Sequence, residues 1–246
     1  MLVPLTARRP AKPCAAAAGF RGRSSDRGEA AMNVTVVAFE DCMTSAVTGL
    51  LDAFALAERL SRADRAPPWR HQIRLASVDG HPVRGFGGFP IAPQWSITEC
   101  GDSDIVIVPA ILGDIETVLG RERKLVDWLA SCKSGRRLLA SACTGAFLLA
   151  EAGLLEGRLI TTNPTYRTLF ESRYPSIKLA LGERVVEDRQ IICAGSTSAV
   201  LDLAVHLVDR LGGHDLATST AKALSIDRNP GKTWMAVTYA KTRFAL

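Results

Sequence analysis

Along this chain, strand-like apolar runs hand over directly to segments of helical spacing, and few folds accept that arrangement. "VTVVAF" (34–39) leads to "SAVTGLLDAFALAERLS" (45–61), "SDIVIVPA" (103–110) to "IETVLGRERKLVDWLASC" (115–132), and "GRRLLASA" (135–142) to "TGAFLLAEAG" (144–153). A run that is apolar on both alternating faces belongs to a strand covered on both sides, and a helix between consecutive strands makes their pairing parallel. The expected fold class is therefore α/β: a three-layer sandwich with a mainly parallel central sheet and helices on both faces.

The remaining segments fit this frame. "HQIRLASV" (71–78) alternates as a further strand, and "DGHPVRGFGGFPIAP" (79–93) is rich enough in turn formers to predict a hairpin. "GRLITT" (157–162) predicts a short strand, "YRTLFESRYP" (166–175) a helix stopped by Pro175, and "RVVEDRQIICAGS" (184–196) a hairpin turning at Glu187-Asp188. "TSAVLDLAVHLVDRLGG" (197–213) predicts a long amphipathic helix closed by two glycines, followed by a last helix in "HDLATSTAKALSI" (214–226).

The formal charge of +5 suggests a nucleic-acid partner until the arginines are located. Arg8, Arg9, Lys12, Arg21, Arg23 and Arg27 all precede Met32, against only Asp26 and Glu29, so the basicity belongs to the first 31 residues. That stretch has no hydrophobic period and is expected to be a disordered extension, with translation starting at Met32. No secretory signal or span of roughly 20 apolar residues occurs, which predicts a cytoplasmic protein off the membrane. Six cysteines without metal-ligand spacing predict free thiols, no metal and no cofactor.

One of those thiols stands apart. Cys143 lies between a predicted strand and helix, flanked by small residues in "SACTGA", the setting of a sharp turn that pushes a side chain outward. Amides near Thr144 and Gly145 are then expected to face the sulfur, lower its pKa and offer an anion hole. Cysteine is also a common small core residue, and for Cys14, Cys42, Cys100, Cys132 and Cys193 the core or solvent reading is preferred, with Cys42 closest to the predicted site mouth.

"ACTGAFLLAEAGLLEGR" (142–158) resembles the cysteine-elbow segment of the ThiJ/PfpI superfamily, within the class I glutamine amidotransferase-like fold. It is most similar to the branch that forms the N-terminal domain of AraC-type transcriptional regulators and also includes isonitrile hydratases. The predicted hairpin, "SDIVIVP" and "CAGSTSAVLDLAVHLV" (193–208) extend the likeness over about residues 33 to 226. The resemblance implies a domain at 32–228, with 229–246 similar to the linker leading to a DNA-binding half, and DNA binding by this chain alone is not expected. It implies a homodimer and a pocket lined by Cys143, Thr144, Gly145, Ala110, Asn163 and Asp41.

Departures from the family pattern shape the functional expectation. The position of the usual acid is Ala46, a histidine position is Asn163, and a Gly-Gly pair after Pro109 is replaced by Ala110-Ile111. Alanine cannot exchange a proton, and asparagine can hydrogen-bond without taking one. The expected function is a small-molecule-binding domain related to the sensing half of those regulators, without efficient catalysis, its ligand an amine or amino-acid derivative. The alternative is a cysteine-dependent hydratase or hydrolase in which Thr144 positions water and Glu40 or Asp41 supplies a displaced acid. Oxidation of Cys143 to a sulfinic acid ranks last.

Overall fold

The computed structural model describes residues 32–63, 69–133, 137–227 and 234–236. The expected extension (1–31) and most of the expected linker (229–246) lie outside the described residues. Twelve strands and seven helices follow in chain order among the described residues: β1 Met32–Val37, α1 Thr44–Ala63, β2 His71–Ser77, β3 Val83–Arg84, β4 Pro90–Ile91, β5 Trp95–Ser96, β6 Ile105–Val108, α2 Ile115–Arg121, α3 Arg123–Ser131, β7 Leu138–Ala142 and α4 Ala146–Glu151. Then come β8 Leu159–Ile160, α5 Arg167–Arg173, β9 Lys178–Leu179, β10 Val185–Asp188, β11 Ile191–Ala194, α6 Val200–Gly212, α7 His214–Ala223 and β12 Trp234–Ala236.

Eight strands form one sheet in the order β12-β10-β11-β7-β6-β1-β2-β5, parallel throughout except where β10 meets β11. Helices cover both faces of this sheet, with α1, α6 and α7 packed together as one group and α2, α3 and α4 as another. The central strands are buried along their length: Val34, Val36 and Val37 of β1, Ile105 to Val108 of β6, and Ile192 to Ala194 of β11 are at most 1% exposed. The continuous apolar runs read from the sequence are thus the strands enclosed by both helical layers.

Local departures have identifiable causes. The segment 115–132 is two helices, not one, because Glu122 leaves helical geometry at ψ 30 and serves both as the end of α2 and the start of α3. The "GRLITT" strand pairs with β9 in a separate two-stranded sheet. The β10–β11 hairpin turns at Arg189-Gln190, with Arg189 at φ 62, and Glu187 and Asp188 remain in the strand. Asp188 is held there because its carboxylate is wholly buried and accepts the Leu159 N–H at 2.9 Å. Neither the short edge strand β5 nor β12, which pairs in parallel with β10, has a signal in the sequence pattern.

Cys42, Cys100, Cys132 and Cys193 are buried free thiols, as the core reading expects. Burial pushes Cys42 up to about 11, with the Glu122 and Glu40 carboxylates adding to the effect, and pushes Cys193 up to about 12. Unfolding returns each thiol toward its ordinary 9.0, so the stability they contribute is whole below pH 9.0 and is withdrawn as pH climbs through their folded values. Melting temperature is expected to fall progressively above about pH 9, and less steeply in Cys42→Ala. A flat profile in circular-dichroism melts across that range would contradict the burial of these sulfurs.

Candidate functional site

β7 delivers a row of small buried residues, Ala140, Ser141 and Ala142, to the carboxyl end of the sheet, where ligand sites form in open α/β folds. The next residue, Cys143, takes φ 52, the left-handed region that a side chain with a Cβ seldom adopts and that costs of order 1–3 kcal/mol. A single 3-10 turn, Cys143–Gly145, then leads into α4. Gly145 is required at its position: a Cβ there would lie 2.5 Å from the Pro109 carbonyl oxygen and 2.6 Å from that of Val108.

The strained turn is held from two sides. The Thr144 hydroxyl donates to the Ile111 carbonyl at 2.6 Å, tying the turn to the exit of β6, and the Thr162 hydroxyl donates to the Cys143 carbonyl at 2.9 Å, tying it to the exit of β8. Cys42 bridges to Ile111, the Met43 amide donates to the Ala110 carbonyl at 2.8 Å, and the Leu112 amide donates to the Asp41 carbonyl at 3.1 Å. The loops after β1, β6, β7 and β8 therefore converge on one place, with Cys143 at its centre.

At that centre the sulfur is enclosed. Cys143 and Thr144 are each 1% exposed, and the expected protrusion into an open mouth is not found. Nor is the expected lowering of its pKa: burial raises the thiol above 9.0, and the Thr144 amide and the Asn163 side chain offset this only in part, the Thr144 hydroxyl proton being given to the Ile111 carbonyl. The physical reason is that α4 has six residues and follows a tight turn, so its end offers little dipole against the cost of taking a thiolate out of water.

Asn163 reaches the sulfur in a fixed orientation. It caps the short 3-10 turn Pro164–Tyr166, its Oδ1 accepting the Thr165 N–H at 3.0 Å, which leaves the Nδ2 donor to face Cys143. The groups that act on the sulfur are thus an amide N–H, a side-chain amide and a hydroxyl whose proton points to Ile111. Ala46 is fully buried in the first turn of α1.

Asp41 and Glu40 lie in the converging loop but are engaged elsewhere. Asp41, itself at φ 63, takes the Arg121 guanidinium at 3.1 Å, and Glu40 accepts the Arg84 N–H at 3.1 Å. Arg121 also donates to the Glu40 carbonyl at 2.6 Å and to Glu122 at 3.1 Å, so the corner between α2 and α3 fastens the β1–α1 loop. Glu122 is only 8% exposed, and burial raises its carboxyl. Sequence reading missed Arg121, Glu122 and Thr162; "GRER" reads as a solvated helix face, and a threonine after a strand carries no signal of its own.

The histidines sit apart from this site. His71 is buried at the start of β2 beside Trp69, His81 is exposed with Asp79, His206 meets Glu187 at 2.6 Å, and His214 meets Asp209 at 3.4 Å. Among the described residues no group of three or more His, Cys, Asp or Glu side chains is placed to hold a metal ion, and no helix is long and apolar enough to cross a membrane.

A family profile described as the DJ-1/PfpI family matches residues 32–210. The isonitrile hydratase of Pseudomonas putida is 30% identical over 147 residues, 59% of this chain and 62% of that protein. The HTH-type transcriptional regulator CdhR of Pseudomonas aeruginosa is 26% identical over 171 residues, 70% of this chain and 50% of that protein. The chain therefore spans between half and two thirds of these curated relatives. The crystal structure of an AraC family transcriptional regulator from Pseudomonas putida superposes with a TM-score of 0.67 at 24% identity, covering 78% of this chain and 99% of that one.

Proposed function

The chain belongs to the DJ-1/PfpI family, and on that premise we propose that it is a small-molecule-binding domain of the kind that forms the sensing half of AraC-type regulators, without efficient turnover. The observation that carries this reading is the company of Cys143: a buried thiol with a raised pKa, facing an asparagine, a hydroxyl and an amide, with alanine at the position of the usual acid. Covalent catalysis by cysteine needs a thiolate and a proton acceptor near it, and this set supplies hydrogen bonds to a ligand without either. Its relationship to the regulator CdhR supports the sensing role.

The ligand of this reading is an amine or amino-acid derivative held beside Cys143, Thr144, Gly145, Ala110 and Asn163, with Asp41 at the loop edge. The protein works in the cytoplasm as a homodimer; Phe86 and Phe89, 51% and 68% exposed on the turn between β3 and β4, are apolar surface suited to a second copy. Thermal-shift screening of amines and amino-acid derivatives is expected to show saturable stabilisation that Cys143→Ala and Asn163→Leu weaken. Sedimentation of the same samples is expected to give twice the chain mass. Steady turnover of a screened compound, abolished by Cys143→Ala, would overturn the reading.

The 30% identity to isonitrile hydratase favours a second reading, a cysteine-dependent hydratase. In that case hydration of an isonitrile is measurable and is lost in Cys143→Ala, and the charged partner comes from Glu40 or Asp41 after release from Arg84 or Arg121. An unchanged rate in Asp41→Asn and Glu40→Gln would remove that assignment.

A further inference from the structure

At the opposite end of β7 from Cys143 lies a cleft of 180 Å³, lined by Lys133, Arg137, Leu139, Leu154, Arg158 and Gln190 among others. Against the ~30 Å³ of one liquid water, this is room for a small organic molecule. Its walls come from the end of α3, the starts of β7 and β11, and the chain leaving α4, so it is separate from the loops that converge on the elbow.

The charges around it do not balance. Arg158 is paired with the buried Asp188 at 3.6 Å, and the lining carboxylate Glu156 accepts from the Ser176 hydroxyl and keeps its charge, so three cations, Lys133, Arg137 and Arg158, stand against two carboxylates. Arg137 is fixed by two backbone carbonyls, Ser103 at 2.7 Å and Gly101 at 2.6 Å, which orient the guanidinium and leave its charge in place. Neither Arg137 nor Lys133 has a carboxylate in ion-pair contact among the described residues, and Asp102 feels Arg137 only from further off. Leu139, Leu154 and Ile191 are buried apolar side chains of the same lining.

We infer that this cleft is a second binding site, for a small carboxylate with an apolar body. A preoriented guanidinium matches the two oxygens of a carboxylate, and Lys133 adds a mobile charge at the rim. Leu139, Leu154 and Ile191 supply the apolar part of an otherwise polar lining, against which a short hydrocarbon body can lie. A ligand here would touch β7, which runs directly into Cys143, and the segment that follows α4.

Sodium benzoate is the probe. At constant ionic strength, titration of the intact protein with benzoate against matched chloride and phosphate is expected to give a saturable rise in melting temperature and a single calorimetric binding event. Lys133→Glu is expected to weaken that binding by about tenfold or more, and Gln190→Trp, which fills the cleft from its exposed rim, to abolish it. Cys143→Ala is expected to leave it unchanged, which separates this site from the elbow. A response no larger than that of chloride, equal stabilisation by phosphate, or undiminished benzoate binding in Lys133→Glu would overturn the inference.

Discussion

Asn163→Asp is expected to slow alkylation of Cys143 by about tenfold at neutral to mildly alkaline pH, the change that one unit in the thiol pKa produces. The wild-type sulfur already titrates above 9.0 because it is buried, and the Asn163 side chain is one of the groups that hold it down. Because Oδ1 of Asn163 is occupied by the Thr165 amide, the group turned to the sulfur is a donor. Aspartate keeps the cap and replaces that donor with an anionic oxygen, so the cap survives while a like charge is set against the thiolate. The sign follows directly: a like charge disfavours the charged form, the pKa rises, and less thiolate is present at any pH below it. Iodoacetamide kinetics followed by mass spectrometry across a pH series measure the shift. A rate equal to wild type would mean that Asn163 does not touch the sulfur in solution, and the proposed site would lose one of its defining contacts.

Phe147→Ala is expected to cost about 3–5 kcal/mol of folding stability, among the largest effects a single core truncation produces. Phe147 is fully buried in α4, immediately after the elbow, and packs edge-on against Phe170 with ring centroids 4.8 Å apart, with Tyr166 and Tyr174 each at 6.2 Å. These rings join the helix that follows Cys143 to the one that follows Asn163. The same two helices are also joined by Glu151, which accepts from the Tyr174 hydroxyl at 2.7 Å and from Arg173 at 3.1 Å. Removing the ring opens a cavity between them that the polar contacts cannot close. Urea unfolding measures the loss, and alkylation of Cys143 in the same variant is expected to become faster as enclosure of the sulfur loosens. A loss below about 1 kcal/mol would show that the cluster repacks freely and is not what holds the two segments together.

The residues themselves carried the fold class. Apolar runs such as "VTVV" and "IVIV" in alternation with helical segments admit little other than an enclosed parallel sheet, because each run must be covered on both faces. They also located the elbow, since a cysteine between small residues at a strand-to-helix junction marks a sharp turn, and the φ of 52 at Cys143 is that turn. Asn163 and Ala46 were legible as chemistry withheld once the family resemblance assigned those positions, for side-chain type then fixes what can exchange a proton. What the chain order could not convey was environment. Whether the sulfur faces water or packing depends on segments far apart in sequence meeting around the turn, and its burial there reversed the expected direction of the thiol pKa. The same holds for Arg121 and Glu122, which look like a solvated helix face and instead fasten the β1–α1 loop, and for the cationic cleft, assembled from α3, β7, the end of α4 and β11. Pattern along a chain reports which faces are apolar; desolvation and charge balance are sums over neighbours in space, and they exist only once the segments have packed.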